Sequence, residues 1–125
     1  GIIYPELHYG RDALVGIALF LSLLVEKEMK VSALKASYPK YAMSKAKVAL
    51  SSDMDVDELF EQIKNQYKDK NPITIDGVKI EFETAWVHLR KSNTEPIIRV
   101  YSEAHNEEAA QSLANRFVNE IKGFF

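Results

Sequence analysis

A polar loop between two apolar stretches most constrains what this chain can fold into. Trp86–Leu89 precedes the loop and Ile97–Val100 follows it, and both stretches have the β-branched and aromatic content typical of strands. Pro96 lacks an N–H and favours an extended residue before it, so we predict that the second strand begins directly after it. Asn93 tolerates a positive φ angle, so we expect a tight turn between the strands.

The side chains of this loop are suited to holding a phosphate group. Arg90 and Arg99 bracket the loop, and each guanidinium offers a planar fork of donors that matches phosphate oxygens. Ser92 and Thr94 add hydroxyl donors, and the backbone N–H groups of a turn can form an anion-binding nest. None of these groups is a strong nucleophile or base, so we predict binding without catalysis. The alternative is a polar hairpin turn whose arginines form surface ion pairs.

The pattern from Lys40 onward predicts the element order β-α-β-β-β-β-α. Asp76-Gly77 is a strong signal for a two-residue hairpin, which favours an antiparallel sheet. Because both helices carry one apolar stripe, we expect an α+β domain with a sheet of about four strands and both helices on one face. The predicted strands are Lys40–Leu50, Ile73–Ile75, Val78–Phe82, Thr84–Arg90 and Ile97–Ser102, and the predicted helices are Asp53–Lys68 and one capped by Asn106.

The N-terminal part has a different character. Gly1–Leu7 is apolar and predicted to be extended, and Asp12 is a suitable cap for a helix over Ala13–Val25. This helix is apolar on almost every side, yet it is shorter than the roughly 20 residues that span a bilayer. Such a helix is normally buried in a larger core. We expect its partners to belong to a preceding domain; a central core helix of this domain is the alternative.

Composition excludes several classes of function. The formal net charge of −2 gives no electrostatic attraction to nucleic acid or to an anionic membrane, so we expect neither as a partner. The chain has no cysteine, which removes disulfides and thiolate metal sites and fits a reducing compartment. We therefore expect a cytoplasmic protein. The hydrophobic content of 46% supports a packed core.

One family shares the loop motif. Arg90–Pro96 reads RKSNTEP with Arg99 three residues on, and it resembles the phosphate-binding loop in the last domain of the α-D-phosphohexomutases, whose pattern is Arg-x-Ser-Gly/Asn-Thr-Glu-Pro followed by an arginine. Ile2–Leu24 is similar to the end of that family's third domain. The resemblance implies that residues 1–36 end domain three and that residues 37–125 form domain four, with a TATA-box-binding-protein-like fold.

The resemblance also implies a mechanism. In this family, which includes phosphoglucomutase, phosphomannomutase and phosphoglucosamine mutase, a phosphoserine in domain one exchanges a phosphoryl group with a hexose phosphate through a hexose bisphosphate, beside a Mg²⁺ ion. The loop of the last domain holds the non-reacting phosphate and closes the cleft. The residues that this role would fall to here are Arg90, Ser92, Asn93, Thr94 and Arg99, with Lys91 carried over only weakly because it occupies the family's variable position.

The chain lacks the family's serine motif, its aspartate-rich metal loop and its sugar-loop glutamate. We therefore expect it to be the C-terminal fragment of a longer enzyme and to hold no catalytic residue, metal or cofactor of its own. Its partners would be a hexose phosphate or bisphosphate and domains one to three of the parent. Glucosamine, mannose and glucose phosphates remain open as substrates. The alternative function is a stand-alone anion-binding or interaction module without catalysis.

Overall fold

A computed structural model of the protein describes residues 1–51 and 54–124, which divide into two compact units, Gly1–Pro39 and Lys40–Phe125. In the first unit, helix α1 spans Ala13–Lys27 and helix α2 spans Val31–Ser37. The side chain of Asp12 caps α1 as predicted, because it accepts a hydrogen bond of 3.0 Å from the backbone N–H of Val15.

The prediction of an extended segment over Gly1–Leu7 is wrong at its C-terminal end. The carbonyl of Tyr4 accepts hydrogen bonds from the backbone N–H groups of Leu7 and His8, and the chain turns between them. An extended segment without a neighbouring strand leaves its backbone groups unpaired, whereas this turn pairs some of them locally.

Helix α1 has no buried residue, so it is not the core helix of the described structure. Its exposed apolar side chains include Leu14, Ile17, Phe20 and Val25. That another domain covers these side chains remains a prediction. In the part of the chain that the structure describes, no helix combines the length and the apolar character needed to cross a membrane.

The second unit is an antiparallel four-stranded sheet with two helices, which confirms the predicted α+β class. The strand order is β1-β4-β3-β2, and each neighbouring pair is antiparallel. Helix α4 packs over β1 and β4, and α3 contacts β2. The elements are β1 Ala42–Ala49, α3 Val56–Gln66, β2 Val78–Glu81, β3 Trp86–Lys91, β4 Ile97–Ala104 and α4 Glu107–Lys122.

Strict alternation along the strands gives the sheet a covered face and an open face. The covered face contributes Val48, Ile98 and Leu89 to the core, where they meet Ile63 of α3 and Phe117 of α4. The open face carries the charged and aromatic side chains of all four strands.

Two small residues let α4 lie close to the sheet. Ala110 and Ala114 are fully buried, and the Ser102 hydroxyl donates a hydrogen bond of 2.7 Å to the Ala110 carbonyl. Because this buried hydroxyl is satisfied by the backbone of α4, it costs little to bury. The contact fixes α4 against β4.

Several predicted boundaries move. The predicted strand Ile73–Ile75 is reduced to a single bridge between Ile73 and Lys79, so the connection spans residues 74–78 and the predicted two-residue hairpin at Asp76-Gly77 is wrong. A type I′ turn of two residues needs positive φ at both, and of this pair Gly77 has it whereas Asp76 does not. The predicted start of the first helix at Asp53 lies outside the described residues. Asp55 caps α3 through its side chain, which accepts from two backbone N–H groups of the first turn. Asn71 ends the following 3-10 turn with φ of 48°.

Gly77 is required by the hairpin in two ways. Its φ of 75° lies in the left-handed region, and a Cβ at this position would lie 2.0 Å from the carbonyl oxygen of Leu89. The backbone of Gly77, just before β2, therefore lies directly against the backbone of Leu89 near the end of β3. This approach sets the position of Asp76 beside Arg90.

A polar cluster ties the end of α3 to α4. The Tyr67 hydroxyl donates to the Glu120 carboxylate, with oxygen–oxygen distances of 2.8 and 2.9 Å, and accepts from Arg116 at 2.7 Å. Arg116 also donates to Glu120 at 2.9 Å. Burial, reinforced by the Glu120 carboxylate, raises the pKa of Tyr67 from its ordinary value of 10.0 to about 12.

We expect Tyr67→Phe to lower the free energy of unfolding by about 1 kcal/mol, because it removes a hydroxyl bonded to two charged groups. Tyr101→Phe is the matched control and should change stability by less than about 0.5 kcal/mol, since Tyr101 makes no hydroxyl hydrogen bond among the described residues. Urea unfolding checks both.

The raised pKa adds a pH dependence to this experiment. A tyrosine whose folded pKa lies above its unfolded value stabilises the fold fully below pH 10, and this contribution is lost as the pH rises through 12. The difference between wild type and Tyr67→Phe should therefore shrink over that window. A difference that is constant or grows with pH would contradict the cluster's assigned role.

Candidate functional site

The strand register brings the two loop arginines side by side. Arg90 near the end of β3 and Arg99 near the start of β4 are Cα partners, so both side chains leave the open face of the sheet. Cα atoms of such partners lie about 4.5–5.5 Å apart. The two arginine side chains therefore start side by side on the same face at this end of the sheet.

Carboxylates contact both arginines. Nη2 of Arg90 lies 2.6 Å from Oδ2 of Asp76, and Nη2 of Arg99 lies 3.5 Å from Oε2 of Glu95. The surface ion pairs of the alternative interpretation are therefore present. However, the side chains of Asp76 and Glu95 are 60% and 55% exposed, and solvent-screened pairs of this kind contribute only about 0–1 kcal/mol. A phosphate dianion can replace either carboxylate at small cost.

Ser92 links the loop to Arg99. Its backbone N–H donates to the carbonyl of Ile97 at 3.0 Å and so closes the loop. Its hydroxyl oxygen accepts from Nη2 of Arg99 at 3.4 Å and from the N–H of Thr94 at 3.5 Å, which are weak contacts at the edge of hydrogen-bonding distance. The Arg99 guanidinium and the Thr94 N–H therefore point to the same hydroxyl oxygen. A stronger acceptor placed there could accept both hydrogen bonds instead.

The predicted positive φ angle at Asn93 is wrong. The non-glycine residues with positive φ in the described structure are Glu28 and Asn71. The hydrogen bond between Ser92 and Ile97 encloses a loop of several residues, and a loop of that length reverses the chain without a left-handed residue. No acceptor for the backbone N–H of Asn93 lies among the described residues.

Lys91 is separated from the arginines. Its Cα partner is Ile98, so it lies on the opposite face of the sheet from Arg90. There it lines a depression with Asn93 and with two acidic residues of α3, Asp57 and Glu61. Of the loop side chains, Ser92 and Arg99 are in contact, Arg90 shares the open face with Arg99 and pairs with Asp76, and Lys91 and Asn93 line the depression beside α3.

Sequence reasoning missed the part that Asp76 plays here. Besides its ion pair with Arg90, its carbonyl oxygen lies 2.6 Å from Nε2 of His88. The Asp76-Gly77 turn indicated that Asp76 would lie near β3. It did not indicate which residues of β3 would contact Asp76. The missing information was the register, which the sequence pattern does not specify to a single residue.

The chemistry available at this site is recognition of an anion. Its groups are two guanidiniums, hydroxyls and backbone N–H groups, and none is an activated nucleophile. Among the described residues, no group of three or more histidine, aspartate or glutamate side chains is arranged to hold a metal ion.

Comparison with known proteins gives the family. The family model described as "Phosphoglucomutase/phosphomannomutase, C-terminal domain" matches residues 24–120, which include every strand of the sheet and the whole loop. The chain belongs to this family. The resemblance seen in the loop motif is thereby confirmed, together with the α+β fold that it implied.

Several similar proteins are named as mutases of hexose or hexosamine phosphates. The chain is 38% identical to a phosphoglucosamine/phosphogalactosamine mutase of Sulfurisphaera tokodaii, over 98% of this chain and 28% of the relative. It is 34% identical to a probable phosphoglucosamine mutase of Methanopyrus kandleri, over 96% of this chain and 27% of the relative. A phosphoglucomutase/phosphomannomutase of Thermococcus kodakarensis is 39% identical over 89% of this chain and 24% of the relative. The chain thus spans about a quarter of these relatives.

The ion pair between Asp76 and Arg90 gives a test of the mutase-domain site. We expect Asp76→Asn to raise the affinity for inorganic phosphate about twofold to fivefold, because it removes a competing carboxylate that contributes up to about 1 kcal/mol. Asparagine before Gly77 preserves the hairpin. NMR titration measures the affinity.

Asp69→Asn is the matched control, since Asp69 is exposed and pairs with Lys70 in the 3-10 turn. It should leave phosphate affinity unchanged. Equal or weaker binding by Asp76→Asn would mean that Asp76 orients Arg90 instead of competing with the ligand.

Proposed function

We propose that this chain is the C-terminal domain of a phosphohexomutase and that its loop binds the phosphate of the substrate that is not reacting. The observation that carries the proposal is the register of Arg90 opposite Arg99, with the Ser92 hydroxyl oxygen within 3.4 Å of the second guanidinium. Forked donors on neighbouring strands match the oxygens of a phosphate dianion.

Each group has a separate task in this proposal. Arg90 and Arg99 supply charge and forked donors. Ser92 and Thr94 supply hydroxyl donors, and Asn93 supplies its backbone N–H, for which no acceptor lies among the described residues. Lys91 has no part in it, since it leaves the other face of the sheet.

Holding a remote phosphate contributes to rate without chemistry at the loop. Binding energy realised at the non-reacting phosphate orients the sugar at the reacting centre. A mutase must present its sugar in two orientations, and a phosphate site that ignores the sugar's identity serves both. The open, shallow loop fits that requirement, because its donors recognise only the phosphate.

The phosphoserine and the Mg²⁺ ion that the family uses belong, in this proposal, to parts of the parent enzyme outside this chain. The metal there would neutralise charge on the phosphoryl group in transfer. The contribution of this chain is limited to binding and orienting. We therefore propose that the chain by itself is inactive, and turnover of glucose 1-phosphate by it alone would contradict this.

The names of the relatives support glucosamine, galactosamine, glucose and mannose phosphates as the substrate class. The loop supplies no group that distinguishes these sugars. We propose a hexosamine phosphate as the first substrate to test, because two of the three relatives described above are named for one.

Chemical-shift mapping of the 125-residue chain tests the proposed function. Glucose 1-phosphate should perturb amides of Ser92–Thr94 and of Arg99, with a Kd on the order of 1 mM, since few contacts are made. Unphosphorylated glucose should not. Arg90→Ala should weaken binding at least about tenfold, since charge-assisted hydrogen bonds contribute about 1.5–3 kcal/mol.

Lys122→Gln is the control, because it removes one positive charge in the last turn of α4, on a different element from the loop. It should bind like wild type. Perturbations spread over the sheet, or equal binding by Arg90→Ala, would overturn the assignment of the loop.

A further inference from the structure

A third basic residue, on strand β1, lies in line with Arg90 and Arg99. Lys47 of β1 is the Cα partner of Arg99, and Arg99 is the partner of Arg90. The three residues therefore form a row across β1, β4 and β3 on the open face, with neighbouring strands about 4.8 Å apart. Like charges directly opposite each other destabilise a sheet, so this row has a cost in the absence of a ligand.

The row is incompletely neutralised. Arg90 and Arg99 have carboxylate partners in Asp76 and Glu95, whereas Lys47 forms no ion pair among the residues that the structure describes. Its neighbour along the strand, Lys45, differs, because its amine lies 6.0 Å from the centre of the Tyr101 ring. The extra positive charge of the row is thus centred on Lys47.

The surface beside Lys47 is concave. A depression of about 360 Å³ is lined by Lys45, Lys47, Arg99, Glu95 and Tyr101, among others. Its floor is held in place, because the backbone N–H of Leu50 donates to the carbonyl of Pro96 at 2.8 Å and ties the end of β1 to the loop. The long side chains of Lys47 and Arg99 start from partner positions on adjacent strands and line the same depression.

Glu95 lies at the same depression and opposes an anion there. Its carboxylate is 3.5 Å from Arg99, longer than the contact of Asp76 with Arg90. It therefore holds its arginine less closely than Asp76 does, and a phosphate at this depression would compete with the looser of the two ion pairs.

We propose that Lys47 is a further phosphate-binding residue of this domain, which contacts the anion from the side of Arg99 opposite Arg90. The proposal rests on the proposed function of the loop and extends its site to β1. The ligand is the same phosphate group of a hexose phosphate, held at Arg99 with Arg90 on one side and the Lys47 amine on the other. Lys45, one position further from the loop on the same face, takes no part.

Three variants of the 125-residue chain test this assignment with glucose 1-phosphate as the probe. Lys47→Gln should weaken binding about fivefold, because it removes one charged contact. Lys47→Arg keeps the charge and should stay within about twofold of wild type. Lys45→Gln removes the same charge from the same face and should also stay within about twofold.

Each outcome decides the matter. Wild-type affinity of Lys47→Gln, with binding abolished in Arg90→Ala, would overturn the role of Lys47 and leave the loop's function intact. Equal losses in Lys45→Gln and Lys47→Gln would show a general effect of charge and would also overturn it. If wild type itself does not bind, both proposals fail. Lys47 is exposed, and an unchanged amide spectrum establishes that each variant folds.

Discussion

Two positive charges held opposite each other on adjacent strands are the constraint on which this structure depends. Arg90 and Arg99 are direct partners in the register, an arrangement that costs free energy when no anion lies between them. Asp76 and Glu95 offset part of that cost. The rest of this cost must be offset by other interactions in the fold, because the two ion pairs are exposed and weak.

Burial of apolar side chains on the covered face of the sheet offsets this repulsion. Residues adjacent to the arginines along each strand, Leu89 and Val100, are fully buried beneath the helices. Burying side chains of this size stabilises by about 1.5–3 kcal/mol each, which exceeds the repulsion between screened surface charges. The same alternation that builds the core therefore fixes the arginines on the open face, and the loop inherits its geometry from two rigid strands.

Sequence reasoning reached the features that depend on local pattern. The stripes of α3 and α4, the caps at Asp12 and Asn106 and the start of β4 after Pro96 follow from residue type and spacing. It did not reach those that depend on pairing. The register beside Asp76, the face taken by Lys91 and the row that includes Lys47 are set by how strands align, and a shift of one residue would reverse each of them.

The loop turn shows the same division. Asn93 has the chemistry for a left-handed turn, yet the hydrogen bond from Ser92 to the Ile97 carbonyl closes a longer loop that does not need one. Propensity states what a residue tolerates, whereas the separation of the strand ends decides what is required. The groups proposed to bind an anion could be named from the sequence, but the face of the sheet that each takes could not.

The central claim is that the two arginines and Ser92 surround one phosphate. A crystal structure of this chain with a saturating hexose phosphate tests it most directly. The account predicts phosphate oxygens within about 2.7–3.2 Å of the guanidinium nitrogens of both Arg90 and Arg99 and of the Ser92 hydroxyl, with the Asp76 carboxylate displaced from Arg90. A phosphate bound elsewhere on the sheet, or both ion pairs intact with the ligand absent from the loop, would contradict it.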